Sequence, residues 1–269
     1  MPDANERGAA QRLYDLLVRL FDATPAATLE TWDGARAGVD GRVTVRMNSR
    51  KAVRRLLWAP GELGVVQAYV LGEIDVAGDF AHAVTVLYDY ADFVGPKRTL
   101  DAAGRREVLR TTVLLGAVGP APRSPGVALD AVGGYAPVGL QMHDALDPDL
   151  AADVFGADLF GDSGPVLERS VLEAPAGQVE QHYVTSPEPL SDLLRSWEEA
   201  GLELVGVESI SDQFARTLQS WSEGVEREWD RVVEAVGEQQ ARVWRVSLAL
   251  DVENFRRERI RAYRVTGRR

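Results

Sequence analysis

The residue types that most often carry protein chemistry are scarce in this chain of 269 residues. It contains no cysteine, which excludes disulfides, thiolate zinc sites and a cysteine nucleophile. Its histidines lie far apart in the sequence, which favours partly buried or solvated side chains over a metal site. The three are His82, His143 and His182. We therefore expect no bound metal.

Clustered positive charge is the second feature that could bind a ligand. The net charge is −11, and residues 121–240 hold 6 basic against 23 acidic side chains, whereas basic residues cluster in 42–55 and 256–269. The acidic middle argues against nucleic acid as a partner, and a basic cluster can meet anionic lipid headgroups. The alternatives are a solvated face or pairing with the acidic region. The candidates for lipid or membrane contact are Arg50, Lys51, Arg54, Arg55 and Trp58.

Hydrophobic periodicity predicts the elements that would hold these residues. Ser49 is suited to cap the helix that ends at Trp58, before Pro60-Gly61. Residues 119–139 are rich in proline and glycine and predict a linker. Ser211 is suited to cap one long helix that ends at Gly237. Further helices are predicted at 10–22, 63–71, 80–91, 99–118, 190–200 and 238–255, and strands around Trp32 and at 43–47, 74–79, 202–210 and 260–265.

The amino-acid composition limits the classes of protein to which this chain can belong. Apolar residues make up 45% of the chain, so it can bury a core and we do not expect disorder. No apolar run reaches about 18 residues, and the N-terminus is charged and amphipathic, so neither a transmembrane helix nor a signal peptide is expected. These features predict a cytoplasmic protein, with peripheral contact at the inner face of the membrane left open.

Two stretches resemble a known family. Residues 49–80 read SRKAVRRLLWAPGELGVVQAYVLGEIDVAGDF, and the C-terminal part contains FARTLQSW at 214–221, ARVWRVSLAL at 241–250 and RRERIRAYRV at 256–265. These segments resemble the cyclopropane-fatty-acyl-phospholipid synthases and the related mycolic-acid and 10-methyl fatty acid methyltransferases. Scarce lysine, with much arginine and alanine, also suits an actinobacterial genome.

The resemblance implies a fold and a chemistry. The first stretch is similar to the small sterol-carrier-like domain that precedes the methyltransferase domain in this family. Relatives use S-adenosylmethionine to make cyclopropane or methyl-branched products from phospholipid-bound unsaturated acyl chains. Their cofactor loop is rich in glycine, because glycines let the backbone approach the cofactor at a helix N-terminus. No G-x-G occurs here, and Gly133-Gly134 lies in the predicted linker. We therefore expect a truncated relative that lacks the S-adenosylmethionine-binding core and binds no cofactor.

The family's catalytic positions are also altered under this resemblance. Relatives bind a bicarbonate-like anion through cysteine, glutamate, histidine and tyrosine. The blocks VGLQMHDALDPDLAADVF at 138–155 and PVLERSVL at 165–172 resemble two family segments. The cysteine has no counterpart, and proton abstraction needs such groups within hydrogen-bond reach of one another. The degenerate positions are Asp144 for the glutamate, Arg169 for a histidine, Gln213 and Phe214 for a His-Tyr pair, and Ser247 for a further tyrosine. Asp144 and Arg169 could instead form an ion pair.

The predicted architecture has three parts. Residues 1–118 form an α+β sterol-carrier-like domain, residues 119–139 the linker, and residues 140–269 a reduced α/β remnant of a Rossmann-like methyltransferase domain. The leading hypothesis is a non-catalytic lipid-binding or assembly partner of a fatty acid synthase of this family, associated with a full-length paralogue or as a homodimer. One alternative is an active S-adenosylmethionine-dependent methyltransferase whose cofactor site is atypical or completed by a partner. Another is a stand-alone lipid carrier.

Overall fold

The computed structural model describes residues 8–39, 41–94, 101–126, 142, 145–155, 167–173, 190–199, 201 and 203–268. The chain divides into two compact units, Met1–Gly126 and Val127–Arg269. We call them unit 1 and unit 2. The boundary at Gly126 falls inside the proline- and glycine-rich stretch 119–139, and each unit is described by itself.

Unit 1 combines helices with a small sheet, as expected for an α+β fold. Its described helices are α1 (Ala9–Phe21), α2 (Arg50–Trp58), α3 (Glu62–Val70), α4 (Phe80–Val94) and α5 (Ala102–Leu114). Its strands are β1 (Thr28–Thr31), β2 (Arg36–Gly38), β3 (Val43–Met47) and β4 (Ile74–Gly78). Most of these bounds agree with the predicted elements, because periodicity, turn residues and caps mark the ends locally. Trp32 lies in the turn after β1 rather than in a strand, and α5 is shorter than the predicted helix 99–118.

The sheet of unit 1 has the order β2-β1-β3-β4. Strand β1 is antiparallel to β2 and parallel to β3, and β3 is antiparallel to β4. The main core packs α1, α2 and α3 against this sheet, with Leu13, Met47, Val53 and Ile74 among its buried members. The sheet and its core therefore give α2 a fixed base.

Asp33 caps α1 from the turn between β1 and β2. Gly8 at the N-cap position has no side chain to offer, and the Asp33 carboxylate accepts the backbone N–H of Ala9 at 2.9 Å instead. The same carboxylate accepts the Thr31 hydroxyl at 2.6 Å and the Ala35 N–H at 3.2 Å. Burial opposes ionisation, but these hydrogen bonds outweigh it and lower the pKa of Asp33.

Unit 2 also mixes helices and strands. Its described helices are α6 (Pro148–Phe155), α7 (Leu190–Glu199), α8 (Ser211–Arg227), α9 (Trp229–Val236) and α10 (Glu238–Arg256). Its strands are β5 (Leu167–Glu173), β6 (Glu203–Ser209) and β7 (Arg261–Arg268). The sheet order is β5-β7-β6, and β7 is antiparallel to both neighbours, so β5 and β6 run in the same direction. The coarse prediction of an α/β unit with a few strands is confirmed.

Helix α10 is the centre of unit 2. Trp244, Leu248 and Leu250 are almost fully buried, and α8 packs along the same helix. On the apolar side of α8 and α9, Val225 and Val232 are fully buried. Nearly every residue in the central part of α10 is buried, as expected for a helix at such a central position.

Two local predictions for unit 2 are wrong. The long helix predicted from Ser211 to Gly237 is two helices, because Glu228 leaves helical geometry with φ −101° and ψ 20°. Ser211 is the first residue of α8 rather than its cap; Ile210 holds the N-cap position. The Ser211 hydroxyl instead accepts the N–H of Ala262 at 2.9 Å, which ties the start of α8 to β7.

Candidate functional site

Helix α2 positions the predicted lipid-contact residues. The Ser49 hydroxyl accepts the N–H of Lys51 at 3.2 Å, which confirms the predicted cap. One face of the helix is buried through Ala52 and Val53. The opposite face is rich in arginine and lysine and ends in exposed apolar residues. A short helix of this kind has the composition of segments that lie at a membrane interface.

Arg55 is the exception, and its assignment to a lipid-contact surface is wrong. Its side chain is 3% exposed and forms a fork with Glu73: Nε donates to Oε2 at 2.8 Å and Nη2 to Oε1 at 2.9 Å. Nη1 donates to the carbonyl oxygen of Arg123 at 2.9 Å. The guanidinium is therefore a structural tie between α2, the start of β4 and the segment after α5. It does not reach solvent.

Two of the remaining candidates, Arg54 and Trp58, line a groove between α2 and α5, which we call the α2–α5 groove. Arg54, Leu57 and Trp58 form one wall, and the α5 residues Arg105 and Leu109 form the other. Residues 117–119 close one side. The groove has a volume of about 270 Å³.

The walls of the α2–α5 groove are unusually apolar for a surface. Trp58 is 60% exposed, Leu109 62% and Val118 60%. Val113 and Leu114 continue the exposed apolar surface along α5, outside the groove itself. Contiguous apolar surface of this kind commonly marks an interaction site, whereas single exposed apolar residues do not.

Basic side chains flank this apolar surface. Nε of Arg54 is buried and has no hydrogen-bond partner among the residues that the structure describes. The guanidinium of Arg50 lies 5.9 Å from the centre of the Trp32 ring, and Lys51 is exposed. Arg105 stands on the opposite wall. The arrangement places cations at the rim of an apolar groove, which suits a molecule with an anionic head and an apolar tail.

The segment after α5 is held against α2 at the groove. The indole N–H of Trp58 donates to the carbonyl oxygen of Gly119 at 3.2 Å. A methyl group added at Gly119 would overlap Nη1 of Arg54, so glycine at this position leaves room for the guanidinium. Sequence reasoning did not identify Leu109, Val118 or Gly119. The spacing of Arg105, Leu109 and Val113 at four-residue steps on α5 is the signal that could have found this wall.

The positions that correspond to the family's catalytic residues do not form a site among the described residues. Asp144 lies outside the described residues, so its suggested ion pair with Arg169 stays a prediction. The backbone of Arg169 pairs with Val265 in the sheet. Gln213 is exposed in the first turn of α8. The Phe214 ring packs on the Phe255 ring, with centroids 5.7 Å apart, in an apolar cluster. The hydroxyl of Ser247 is fully buried and donates to the Val243 carbonyl at 2.7 Å.

Neither a metal-binding group nor a membrane-spanning helix occurs among the described residues. His82 is half-buried at the start of α4, whereas His143 and His182 lie outside the described residues. Within the described ranges, no group of three His, Cys, Asp or Glu side chains is arranged to hold a metal ion. No helix described here is long and apolar enough to cross a membrane.

Comparison with known proteins supports the resemblance. Residues 186–265, which contain β6, α8, α9 and α10, match the family model described as mycolic acid cyclopropane synthetase. This part of the chain is therefore similar to the cyclopropane synthase family. The chain is also 37% identical over 111 residues to a protein of Pseudomonas putida described as a probable fatty acid methyltransferase. That alignment covers 41% of this chain and 25% of the relative.

A solved structure of the cyclopropane synthase family is partly similar as well. It is the crystal structure of mycolic acid cyclopropane synthase CmaA1 complexed with SAH and CTAB, with 13% sequence identity and a TM-score of 0.33. The match covers 39% of this chain and 44% of that chain. The matched region of the present chain thus spans under half the length of each of these two proteins.

The described residues do not form an S-adenosylmethionine-binding site. A cofactor of this type sits where a strand passes through a glycine-rich turn into a helix N-terminus. Among the described residues of unit 2, the strand-to-helix turn that could be compared with such a site leads from β6 into α8. It is filled by buried Ile210, whose N–H donates to the Ala262 carbonyl at 2.8 Å, and by the Ser211 contact to the same residue. No glycine opens this turn for a ligand.

Proposed function

We propose that this chain is a non-catalytic partner of a fatty-acyl-phospholipid synthase of the cyclopropane type, and that unit 1 binds the phospholipid surface. The observation that carries the proposal is the α2–α5 groove, where exposed apolar residues lie beside Arg54 and Arg105. The similarity supports the substrate class, since the related Pseudomonas putida protein is described as a probable fatty acid methyltransferase. In this proposal residues 1–118 are the sterol-carrier-like part and residues 140–269 the methyltransferase remnant.

Association with a full-length family member is the second part of the proposal. Strand β6 lies at an edge of the described sheet, and all seven of its residues are exposed. Leu204, Val205 and Val207 place apolar side chains on that edge strand. An exposed apolar edge strand is a template for pairing with another chain. A full-length methyltransferase of the same family, or a second copy of this chain, would cover it.

The lipid part of the proposal is tested with vesicles. The purified full chain is expected to co-sediment with phosphatidylcholine vesicles that contain phosphatidylglycerol, and to bind more weakly to phosphatidylcholine alone. A chain that stays in the supernatant in both cases contradicts this part. Lipid that co-purifies tightly with the chain, in the absence of vesicle binding, would favour the stand-alone carrier.

The partner part is tested by affinity purification from the native cell. A full-length synthase of this family is expected to co-purify with the chain. A Val205→Lys variant on β6 is expected to reduce its recovery, while Ser220→Lys, at an exposed position on α8, is the control with the same change of charge. Recovery of the partner that is equal for both variants would remove β6 from the interface.

The alternative is a methyltransferase in its own right. The family match favours it, because the relatives named above are described as a methyltransferase and a synthase. Calorimetric titration of the isolated chain with S-adenosylmethionine distinguishes the two. We expect no binding in the micromolar range, and no cyclopropane or methyl-branched product from unsaturated phospholipid. Micromolar binding together with product would establish the alternative.

A further inference from the structure

The α2–α5 groove combines a cation, an apolar floor and a small volume in one place. We infer that it is a subsite for one anionic phospholipid that remains in the bilayer, with the lipid phosphate at Arg54 and the start of an acyl chain along Leu57 and Leu109. This inference deepens the proposed function and rests on its lipid part. The proposed function needs only electrostatic attraction of unit 1 to an anionic membrane surface. The inference adds a specific contact between Arg54 and one lipid phosphate.

Arg54 is the residue best suited to meet the phosphate. Its buried Nε lacks a hydrogen-bond partner in the described part of the chain, and its guanidinium has no ion pair there. Arg54 is half-buried at the edge of the groove, so its guanidinium can donate hydrogen bonds to an anionic group there. Arginine also matches phosphate geometry with two parallel hydrogen bonds. Nearby Arg55 cannot play this part, since Glu73 already occupies its fork.

The size of the groove determines how much of a lipid it can hold. Sites that enclose a small molecule usually have volumes of about 300–1,000 Å³. The α2–α5 groove, at about 270 Å³, lies just below this range and is open to solvent along exposed Trp58 and Val118. It can therefore accommodate a headgroup and the first part of a chain, while the remainder stays in the membrane. A lipid extracted whole would leave most of its apolar surface in water.

Trp58 and Gly119 complete the subsite. An indole ring prefers the boundary between headgroups and acyl chains. The hydrogen bond from Trp58 to the Gly119 carbonyl holds this ring at the edge of the groove. The absence of a side chain at Gly119 keeps the Arg54 guanidinium beside the indole. The cation and the interfacial anchor are thus held side by side by one segment.

The experiment measures the affinity of the full chain for phosphatidylglycerol-containing vesicles. Arg54→Gln is expected to lower it about tenfold or more, because a charge-assisted contact is lost. Arg42→Gln is the matched control: Arg42 is exposed and lies just before β3, at the other end of that strand from α2. Its loss is expected to be below about twofold. Equal losses for the two variants would mean diffuse attraction and overturn the subsite, while leaving membrane binding intact.

Two further variants test the geometry and the apolar part. Gly119→Ala keeps every charge but displaces the Arg54 guanidinium, so it is expected to weaken binding severalfold; unchanged affinity would contradict the assignment of Arg54. Leu109→Ser is expected to weaken binding more than Leu114→Ser, which changes another exposed leucine of α5 outside the groove. Equal effects of the two serine substitutions would contradict the acyl-chain contact.

Circular dichroism of each variant shows whether it is folded. Failure of the wild-type chain to bind any vesicle would instead refute the proposed function.

Discussion

Arg55 and Glu73 form a buried, bidentate ion pair between α2 and the residue before β4. Removing one partner of such a pair leaves an uncompensated charge in the core, which costs about 3–5 kcal/mol. We therefore expect Arg55→Met to lower the free energy of unfolding by that amount. Urea denaturation measures it. Arg36→Met, which breaks an exposed pair with Glu30, is expected to cost less than about 1 kcal/mol.

The double variant separates the pair from its individual charges. Replacing both partners, Arg55→Met with Glu73→Leu, leaves no buried charge, so the loss is expected to be smaller than for Arg55→Met alone. The carbonyl of Arg123 also loses its donor when Arg55 is replaced. The segment before Gly126 should then be cleaved faster by protease. Cleavage at the wild-type rate would show that this tie does not hold the segment.

The Asp33 cap gives unit 1 a predicted pH dependence. The hydrogen bonds from Thr31, Ala9 and Ala35 lower the pKa of Asp33 in the folded state below the ordinary value of 3.8. A lowered pKa contributes stability that is present above the unfolded-state value and is lost as the pH falls through the folded-state value. Asp33→Asn is therefore expected to be less stable than wild type at pH 7. Its deficit should shrink as the pH falls below about 3.8.

Thermal unfolding from pH 7 down to acid tests this dependence. Asp15→Asn is a suitable control, since Asp15 is a carboxylate in α1 itself and not at its N-terminus. A deficit of Asp33→Asn that stays constant over the whole pH range would contradict the role of ionised Asp33. Removing the cap altogether with Asp33→Ala is expected to cost about 0.5–2 kcal/mol at neutral pH.

Local sequence signals predicted most elements but not the contacts between them. The α2 helix and its Ser49 cap follow from residues that are adjacent in sequence. The Asp33 cap of α1 does not, because the acceptor lies 24 residues from Ala9. The same reason explains Arg55: an arginine in a basic helix is normally exposed, and only the folded sheet brings Glu73 to it.

The bend at Glu228 shows a second limit of sequence reasoning. Glutamate favours helices, and the apolar stripe continues from Val225 to Val232 without interruption. The bend arises in the packed unit, where both α8 and α9 contact α10. For the candidate site, the cations were predicted from clustering alone. The four-residue spacing of Arg105, Leu109 and Val113 marks one face of α5, but only the fold shows that this face is exposed and opposes α2.

Gly224 in α8 lies directly against the backbone of α6, so replacing it is expected to lower stability. A methyl group at Gly224 would overlap the carbonyl of Val154 in α6. Alanine favours a helix by about 1 kcal/mol over glycine, but backbone cannot move aside as a flexible side chain can. Gly224→Ala is therefore expected to destabilise unit 2 by about 1–3 kcal/mol. Ser220→Ala, on the exposed face of α8, is expected to change stability by less than about 0.5 kcal/mol. A stabilised Gly224→Ala would show that α6 does not approach α8 this closely.

Trp58 offers a direct optical test of membrane contact. It is 60% exposed, and the indole is expected to enter the boundary between headgroups and acyl chains when vesicles bind. The tryptophan emission of the chain should then shift to shorter wavelength on addition of phosphatidylglycerol-containing vesicles. Trp58→Phe is expected to abolish this shift. Trp229→Phe should retain it, since that ring lies in unit 2 against the guanidinium of Arg245. A shift that survives in Trp58→Phe would place the membrane contact elsewhere on the chain.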